Sequence, residues 1–341
     1  MIKHVAVVPG DLAGQEVVPE AVKVLRALGL PFEYEEFEVG AAPLLRGEPA
    51  MSDAVFDQLG GADAILFGAI GDPRIPDVGY AAMVLLKLRF ELDLYVNLRP
   101  ARLYDERLSP LRDPQRRAVD MVIVRENTEG LYVGSGGRFK AGTTDEVAIQ
   151  EDVNTHKGVA RILEHGFQIA RERLCMVDKS NAMHISGALW QQVWGDLCGR
   201  QTSLKTRHLY VDAAAMELVR DPTQFEVIVT GNMFGDILSD LAAALIGGMG
   251  VAPSANVNPL TGRGLFEPVH GSAPNIAGRG LVNPVGSILS AGLMAEHLGL
   301  GDAAKAIEAA VGASIRAGEC TPDLGGTLST AEVGDAITRR L

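Results

Sequence analysis

The segment from Thr230 to Asp240, TGNMFGDILSD, carries two carboxylates four residues apart. A strand is predicted to end at Thr230 and a helix to begin near Phe234, so Asp236 and Asp240 share one helical face. Carboxylates at that spacing suit a hard, oxygen-liganded cation, Mg2+ or Mn2+. The plainer alternative is that Asp236 complements the helix dipole while Asp240 is solvated. The polar approach Thr230-Gly231-Asn232 and the apolar neighbours Ile237, Leu238 and Leu241 narrow the gap between the two readings. Asp212, after a predicted strand over 208–211, is a third candidate ligand.

Three cations stand at the ends of other elements. Arg89 closes the helical run LLKLR, Arg99 lies in NLRPAR, and Arg125 ends VDMVIVR. Guanidinium groups on separate elements can converge on a substrate with several carboxylates, because each binds carboxylate in bidentate fashion; the alternative is three unrelated surface arginines. The same strand end continues into ENTEGLY, with Tyr132. Lys179 follows a strand in MVDKSN and would serve as a base if it met the arginines and a metal. A loop over 266–278, FEPVHGSAPNIAG, combines one histidine with small residues and prolines, and its backbone N–H groups could hold a pyrophosphate. The usual dinucleotide fingerprint G-x-G-x-x-G is missing: the first turn reads Gly10-Asp11-Leu12-Ala13-Gly14, and the glycines at 247–250 follow a helix.

The elements that must position these groups alternate. Short apolar runs at 4–8, 32–39, 64–70, 94–98, 119–124, 174–177, 207–211 and 225–230 read as strands, most followed by helical periodicity. Val18, Ala21, Val22, Leu25 and Leu28 mark the first helix, stopped by Gly29, and Ser52 caps another. The last third reads as mostly helical, over 284–298, 302–317 and 330–341. Such alternation predicts an α/β fold with a largely parallel sheet. Residues 134–150 break the pattern and read as a projecting hairpin that packs on a partner subunit.

Bulk properties agree. The chain has 341 residues, long enough for two modest domains. With 31 Lys and Arg against 43 Asp and Glu the formal charge is −12, which disfavours general binding to nucleic acid or anionic membrane. The three cysteines, Cys175, Cys198 and Cys320, have no zinc or disulfide spacing and read as reduced thiols. No signal peptide or membrane span is read, so a soluble, cytoplasmic protein is expected.

Taken together, LLKLR, NLRPAR, VRENTEGLYVG, DKSN, YVDAAAM, TGNMFGDILSDLAA and FEPVHGSAPNIAG resemble, in order and over nearly the whole chain, the β-decarboxylating isocitrate and 3-isopropylmalate dehydrogenases. The resemblance implies a discontinuous domain, 1–94 with 247–341, and a second of 95–246. It implies a homodimer with 134–150 as a clasp and an active site shared between subunits. By motif match, Arg89, Arg99 and Arg125 would hold the malate carboxylates. Tyr132 and Lys179 would be the acid–base pair. Asp212, Asp236 and Asp240 would bind Mg2+ or Mn2+, with Lys179 and Asp212 donated by the neighbour and Asp212 also facing the substrate. NAD would be held by Glu267, His270, Gly271, Ser272, Ala273, Asn275, Ile276, Asn283 and Asn181. Asn275 stands where NAD-linked relatives carry Asp, so a weakened preference for NAD over NADP is expected. Leu85 and Leu86, on the Arg89 face of their helix, favour a 3-alkylmalate, foremost 3-isopropylmalate. Alternatives are a tartrate, D-malate or homoisocitrate enzyme of the same family, or a non-catalytic regulatory subunit. The turn PGDLAGQE departs from the family's PGDGIGPE at Leu12, Ala13 and Gln15.

Overall fold

The computed structural model describes residues 2–77, 79–200 and 203–341. Its main feature is a ten-stranded sheet built from β1 (Lys3–Gly10), β2 (Phe32–Glu36), β3 (Ala64–Ala69), β4 (Val96–Arg102), β5 (Asp120–Glu126), β8 (Arg173–Asp178), β9 (Lys205–Tyr210), β10 (Val227–Thr230), β11 (Pro253–Asn258) and β12 (Arg263–Pro268). The remaining strands, β6 (Gly136–Phe139) and β7 (Val147–Gln150), form a separate antiparallel hairpin. The helices are α1 (Ala13–Ala27), α2 (Ala41–Leu45), α3 (Asp53–Gly61), α4 (Gly79–Glu91), α5 (His156–Ile169), α6 (His184–Cys198), α7 (Val211–Arg220), α8 (Asn232–Leu245), α9 (Val285–His297), α10 (Gly301–Arg316) and α11 (Thr330–Thr338).

Strand order across the sheet is β2-β1-β3-β12-β11-β4-β5-β10-β8-β9. Neighbours run parallel except at β12–β11, β11–β4 and β4–β5. Parallel strands are covered on both faces, which explains why β3 and β10 are buried at every residue and read as unbroken apolar runs. The antiparallel centre is where the chain passes between the two flanks of the sheet, once through α4 into β4 and once from α8 into β11.

Here the sequence reading needs correction. The last third is not only helical: β11 and β12 occupy the middle of the sheet. PSANVN and RGLFEP were concealed by Pro, Asn and Gly, residues depleted in strands, and tertiary burial overrides that propensity. β4 and β5 also begin and end later than their apolar runs, because the polar ends NLRPAR and VRE continue the ladder. β2 stops at Glu36, short of the expected 39.

Strand register then sets the site. Asn97 pairs with Arg125 on one side and with Asn256 on the other, so these side chains form one row across three strands. Arg99 is two residues beyond Asn97 and so lies on the same face. Helix α8 lies close against β5 at Gly235: a Cβ there would come within 2.6 Å of the Arg125 Cβ. At the other flank, α1 lies close against the ends of β1 and β3 through Gly14, where a Cβ would sit 2.0 Å from the Pro9 carbonyl oxygen and 2.7 Å from the Ala69 nitrogen. No described helix is long and apolar enough to cross a membrane, and the three cysteines are unpaired thiols.

Candidate active site

A cleft enclosing about 880 Å³ of empty space opens at the junction of the two flanks. Part of its lining is charged or polar, with Arg89, Arg99, Arg125, Tyr132, Asp236 and Glu267. Another part is apolar, with Ile70, Ala81, Ala82, Leu85 and Leu86. The three arginines therefore converge and are not scattered over the surface.

Each arginine is locked by a different element. Arg125 is 1 % exposed; its Nε and Nη2 donate to Asn232 Oδ1 at 2.9 and 2.7 Å, and its Nη1 donates to Asp236. Arg99 Nε donates to Asn97 Oδ1 at 2.9 Å and its Nη1 to Ser239 Oγ at 2.9 Å, with Asp236 Oδ1 at 3.4 Å and Asp240 Oδ1 at 3.5 Å. Arg89, at the end of α4, donates from Nη2 to Glu267 Oε1 at 2.8 Å, while its buried Nε has no partner. Tyr132 sits in a single turn of 3-10 helix at Leu131–Val133 and donates its hydroxyl proton to Asp236 Oδ2 at 2.8 Å. The Arg125 guanidinium carbon lies 5.2 Å from the Tyr132 ring centre.

Burial and charge pull these groups in opposite directions. Burial, then Arg99 and Arg89, push the Arg125 guanidinium below its ordinary range, and Asp236 opposes them. Burial likewise lowers Arg99, again against Asp236. Burial works against ionisation of Asp236, but Arg125 and Arg99 outweigh it and hold the carboxyl below the usual range. Four residues on, burial wins at Asp240 and raises its carboxyl. Burial, then the bond to Asp236, raises the Tyr132 phenol.

Helix α4 shows how one element serves two purposes. Val84 and Leu88 are buried in the core, while Leu85, Leu86 and Arg89 line the cleft. Leu85 also packs on the edge of that core. The leucine pair is thus cleft wall and not simply interior packing.

Lys179 and Asp212, expected to come from a neighbouring subunit, lie apart from this chain's cleft. Lys179, just past β8, donates from Nζ to Asp212 Oδ1, in the first turn of α7, at 2.5 Å. Neither residue lines the cleft. The bond to Lys179 lowers the Asp212 carboxyl. Asp236 and Asp240 share the α8 face as the spacing predicts, but among the described residues of one chain no three His, Cys, Asp or Glu side chains cluster as a metal site. The oxygen-only pair fits a hard cation and needs a further ligand from outside the chain.

The loop after β12 meets the first turn of the chain. Ala13 N–H donates to the Ser272 carbonyl at 3.0 Å, and Glu16 accepts from Gly278 and Gly280 N–H. Leu12 and Ala273, the chain neighbours of the two residues that make this bond, have φ of 47° and 44°, a region that favours glycine. His270 and Gly271 line the cleft; His270 Nδ1 lies 2.9 Å from the Gly271 carbonyl oxygen, its Nε2 is buried without a partner, and burial lowers the imidazole. Asn275 and Ile276 are exposed, as is Asn181 beside Lys179. Asn283 is buried: its Nδ2 donates to Asp323 at 3.0 Å and its Oδ1 accepts from Val285 N–H. A loop with exposed backbone beside the cleft, anchored by Glu16, fits an elongated phosphorylated cofactor.

The supporting residues Asn97 and Ser239 are not among the sequence candidates, though both stand inside the quoted motifs, and Asn232 is there only as part of the polar approach to α8. Asn97, a lone amide between Val96 and Leu98, was the readable signal. Asp11 gave no such signal: buried, it accepts from Ala41 N–H, Gly71 N–H and the Tyr80 hydroxyl, tying α4 to the first turn.

A mixed sheet with helices on both sides and a cleft of convergent arginines and carboxylates at its centre defines a class of α/β dehydrogenase-like proteins without the dinucleotide fingerprint. The profile of the isocitrate/isopropylmalate dehydrogenase family matches residues 4–337, and the chain belongs to that family. It is 44% identical over 345 residues to a 3-isopropylmalate dehydrogenase of Thermobifida fusca, covering 98% of this chain and 97% of that one. It is also 44% identical to a 3-isopropylmalate dehydrogenase of Streptomyces coelicolor, covering 99% and 98%. Among solved structures, isocitrate dehydrogenase from Methylococcus capsulatus superposes with a TM-score of 0.92 at 36% identity, covering 99% of both chains.

Proposed function

We propose that the protein oxidises and decarboxylates 3-isopropylmalate, with NAD as hydride acceptor and Mg2+ or Mn2+ as the required ion. The observation that carries this reading is one cleft lined both by guanidinium and carboxylate groups and by the apolar side chains of Ala81, Ala82, Leu85 and Leu86. A malate skeleton matches the charged groups and a branched alkyl group the apolar ones. The relatives named 3-isopropylmalate dehydrogenase support it further.

In this reading Arg89, Arg99 and Arg125 bind the two malate carboxylates, with the unpartnered Arg89 Nε as one ready donor. Lys179 takes the proton of the 2-hydroxyl as hydride leaves carbon 2. The bond to the carboxylate on carbon 3 then breaks, CO2 departs, and Tyr132 delivers a proton to the carbon left behind. Asp236 and Asp240, with Asp212, hold the divalent ion. When bound, that ion supplies Lewis-acid polarisation of the hydroxyl and of the carbonyl it becomes. The loop of Ser272, Ala273, Asn275 and Ile276, with Glu267, His270, Gly271, Asn283 and Asn181, holds NAD. Asn275 accepts from a ribose hydroxyl without repelling a 2′-phosphate.

Because Lys179 and Asp212 lie outside the cleft of their own chain, we place them at the cleft of a second copy in a homodimer. The exposed apolar residues Phe139, Val147 and Ile149 of the hairpin, with Met216, Val219 and Ile237 of α7 and α8, support such a dimer. Residues 1–94 with 247–341 and residues 95–246 then act as two domains flanking the cleft, and the enzyme works in the cytoplasm.

The test is NAD reduction by the purified protein with Mg2+ or Mn2+ and, in turn, 3-isopropylmalate, D-malate, tartrate, homoisocitrate and isocitrate. The highest kcat/KM is expected on 3-isopropylmalate, then D-malate, then isocitrate. Faster turnover of isocitrate or tartrate would overturn the substrate assignment.

A further inference from the structure

Four asparagines are buried where the chain crosses between the flanks of the sheet: Asn97, Asn127 and Asn256 at 0% exposure, and Asn258 at 2%. Asn258 Nδ2 donates to the Asp93 carbonyl at 2.9 Å and ties the two crossing segments together. Asn256 is the hub. Its Oδ1 accepts from Asn97 Nδ2 and Asn127 Nδ2, each at 3.0 Å. Its Nδ2 donates to Glu267 Oε1 at 2.8 Å and to the Leu265 carbonyl at 3.3 Å.

Both ends of this hub reach the cleft. The Glu267 oxygen that accepts from Asn256 also accepts from Arg89 Nη2. Asn97, whose amide N–H donates to Asn256, accepts from Arg99 Nε through its oxygen. A path of side-chain hydrogen bonds therefore runs Arg89–Glu267–Asn256–Asn97–Arg99. Arg89 comes from α4 on one side of the crossing and Arg99 from β4 on the other.

Although Asn127 Oδ1 is buried without a partner, the Asn256 amide has one orientation that suits its neighbours. Turning the Asn256 amide over would set its NH2 against two other NH2 groups and its oxygen against a carboxylate and a carbonyl. Aliphatic side chains would fill the same space without demanding partners, and a buried amide left unpaired is costly. What the amides add over aliphatic packing is direction: they fix how far apart, and at what angle, the two crossing segments lie.

We propose that Asn256 is a positioning residue that, through Glu267 and Asn97, sets the separation of Arg89 and Arg99 to match the two carboxylates of a malate-type substrate. The inference rests on the assignment of those arginines to substrate. A misplacement of about 1 Å can cost about 10²-fold in rate or binding, so small shifts of this hub are measurable.

The experiment compares the full-length protein with its Asn256→Asp, Asn97→Asp and Arg99→Lys variants. KM and kcat are measured for 3-isopropylmalate with NAD and Mg2+, and the Kd of 3-isopropylmalate with Mg2+ by calorimetry. Asn256→Asp keeps the acceptor for Asn97 and Asn127 but sets a carboxylate against Glu267. Asn97→Asp keeps the acceptor for Arg99 but gives up the bond to Asn256. Each is expected to raise KM and Kd about 10-fold or more, with a smaller fall in kcat. If Asn256→Asp fails to fold, Asn256→Ser, which keeps one small hydroxyl, takes its place beside Asn97→Asp. Variants that lose thermal stability while KM and Kd stay within about twofold overturn the proposal, provided Arg99→Lys weakens both. If Arg99→Lys also leaves both unchanged, the substrate site itself is wrongly assigned, and the inference falls with it.

Discussion

The cleft and the Lys179–Asp212 patch contain similar residue types and are built on opposite terms. In the cleft, Arg89, Arg99 and Arg125 are buried, and Glu267, Asp236 and Asp240 oppose them. Charges taken out of water must be compensated before any ligand arrives, so α4, β4, β5, β12 and α8 hold these groups in place. At the patch, Lys179 and Asp212 meet with side-chain exposures of 27% and 66%. An exposed pair contributes little to stability and is easily exchanged. The buried charges of the cleft are thus compensated within one chain, whereas the patch is a more exposed pair that, in the proposed dimer, is free to meet the cleft of a second copy.

The largest effect should come from the loose partner. Lys179→Ala is expected to cut turnover about 10²–10⁴-fold, the usual contribution of a positioned base, while leaving the fold and the proposed dimer intact. Stopped-flow NAD reduction and size-exclusion chromatography check the two halves of this statement, and a near-normal rate would move the base elsewhere. Chelation with EDTA should abolish activity, and Mg2+ or Mn2+ restore it; Asp236→Asn should raise the metal concentration needed for half-maximal activity. Full turnover in metal-stripped buffer would remove the metal from the account.

Within the cleft, the apolar wall offers the next largest handle. Burying a branched alkyl group against Leu85 and Leu86 is worth about 1.5–3 kcal/mol, or roughly 10–200-fold in specificity. Leu86→Arg should lower kcat/KM on 3-isopropylmalate and raise it on isocitrate, since it adds a cation where a third carboxylate would lie. No change in the ratio would return Leu86 to a packing role. On the cofactor side, Asn275→Asp should widen the NAD-over-NADP ratio, read from kcat/KM with each; strong native preference for NADP would contradict the assignment.

The smallest effect concerns stability, at a group remote from both regions. His165 in α5 has both ring nitrogens buried without partners, and burial lowers its imidazole below the ordinary value. The folded state therefore binds the proton less readily than the unfolded chain. Its neutral form is fully compatible with the fold above the unfolded value of about 6.5, and stability falls as pH drops below that. His165→Gln should flatten the pH dependence of Tm below about pH 6.5; an unchanged slope would assign the acid sensitivity to other groups.

Much of the site was legible before folding was considered. The four-residue spacing of Asp236 and Asp240 and the arginines at element ends follow from helical and strand periods, whereas the place of Leu85 and Leu86 beside the substrate was expected from the family resemblance. The central strands were not: PSANVN and RGLFEP carry Pro, Asn and Gly, and only pairing with β3 and β4 makes them strands. Ser239 and Asn256 were equally silent, because an amide or hydroxyl has no periodicity to betray it. Its worth depends on which donors the register sets opposite it.

The sequence by itself determined the residue types, their local spacing and hence the α/β class and the family motifs. Those depend on contacts a few residues apart, which helix and strand geometry fix. The tertiary structure alone decided that Arg89, Arg99 and Arg125 converge, that Lys179 and Asp212 do not join them in one chain, and that four buried asparagines sit between the flanks. Those outcomes depend on sheet order and register, where residues 150 positions apart become neighbours and a shift of one residue would turn every side chain to the other face.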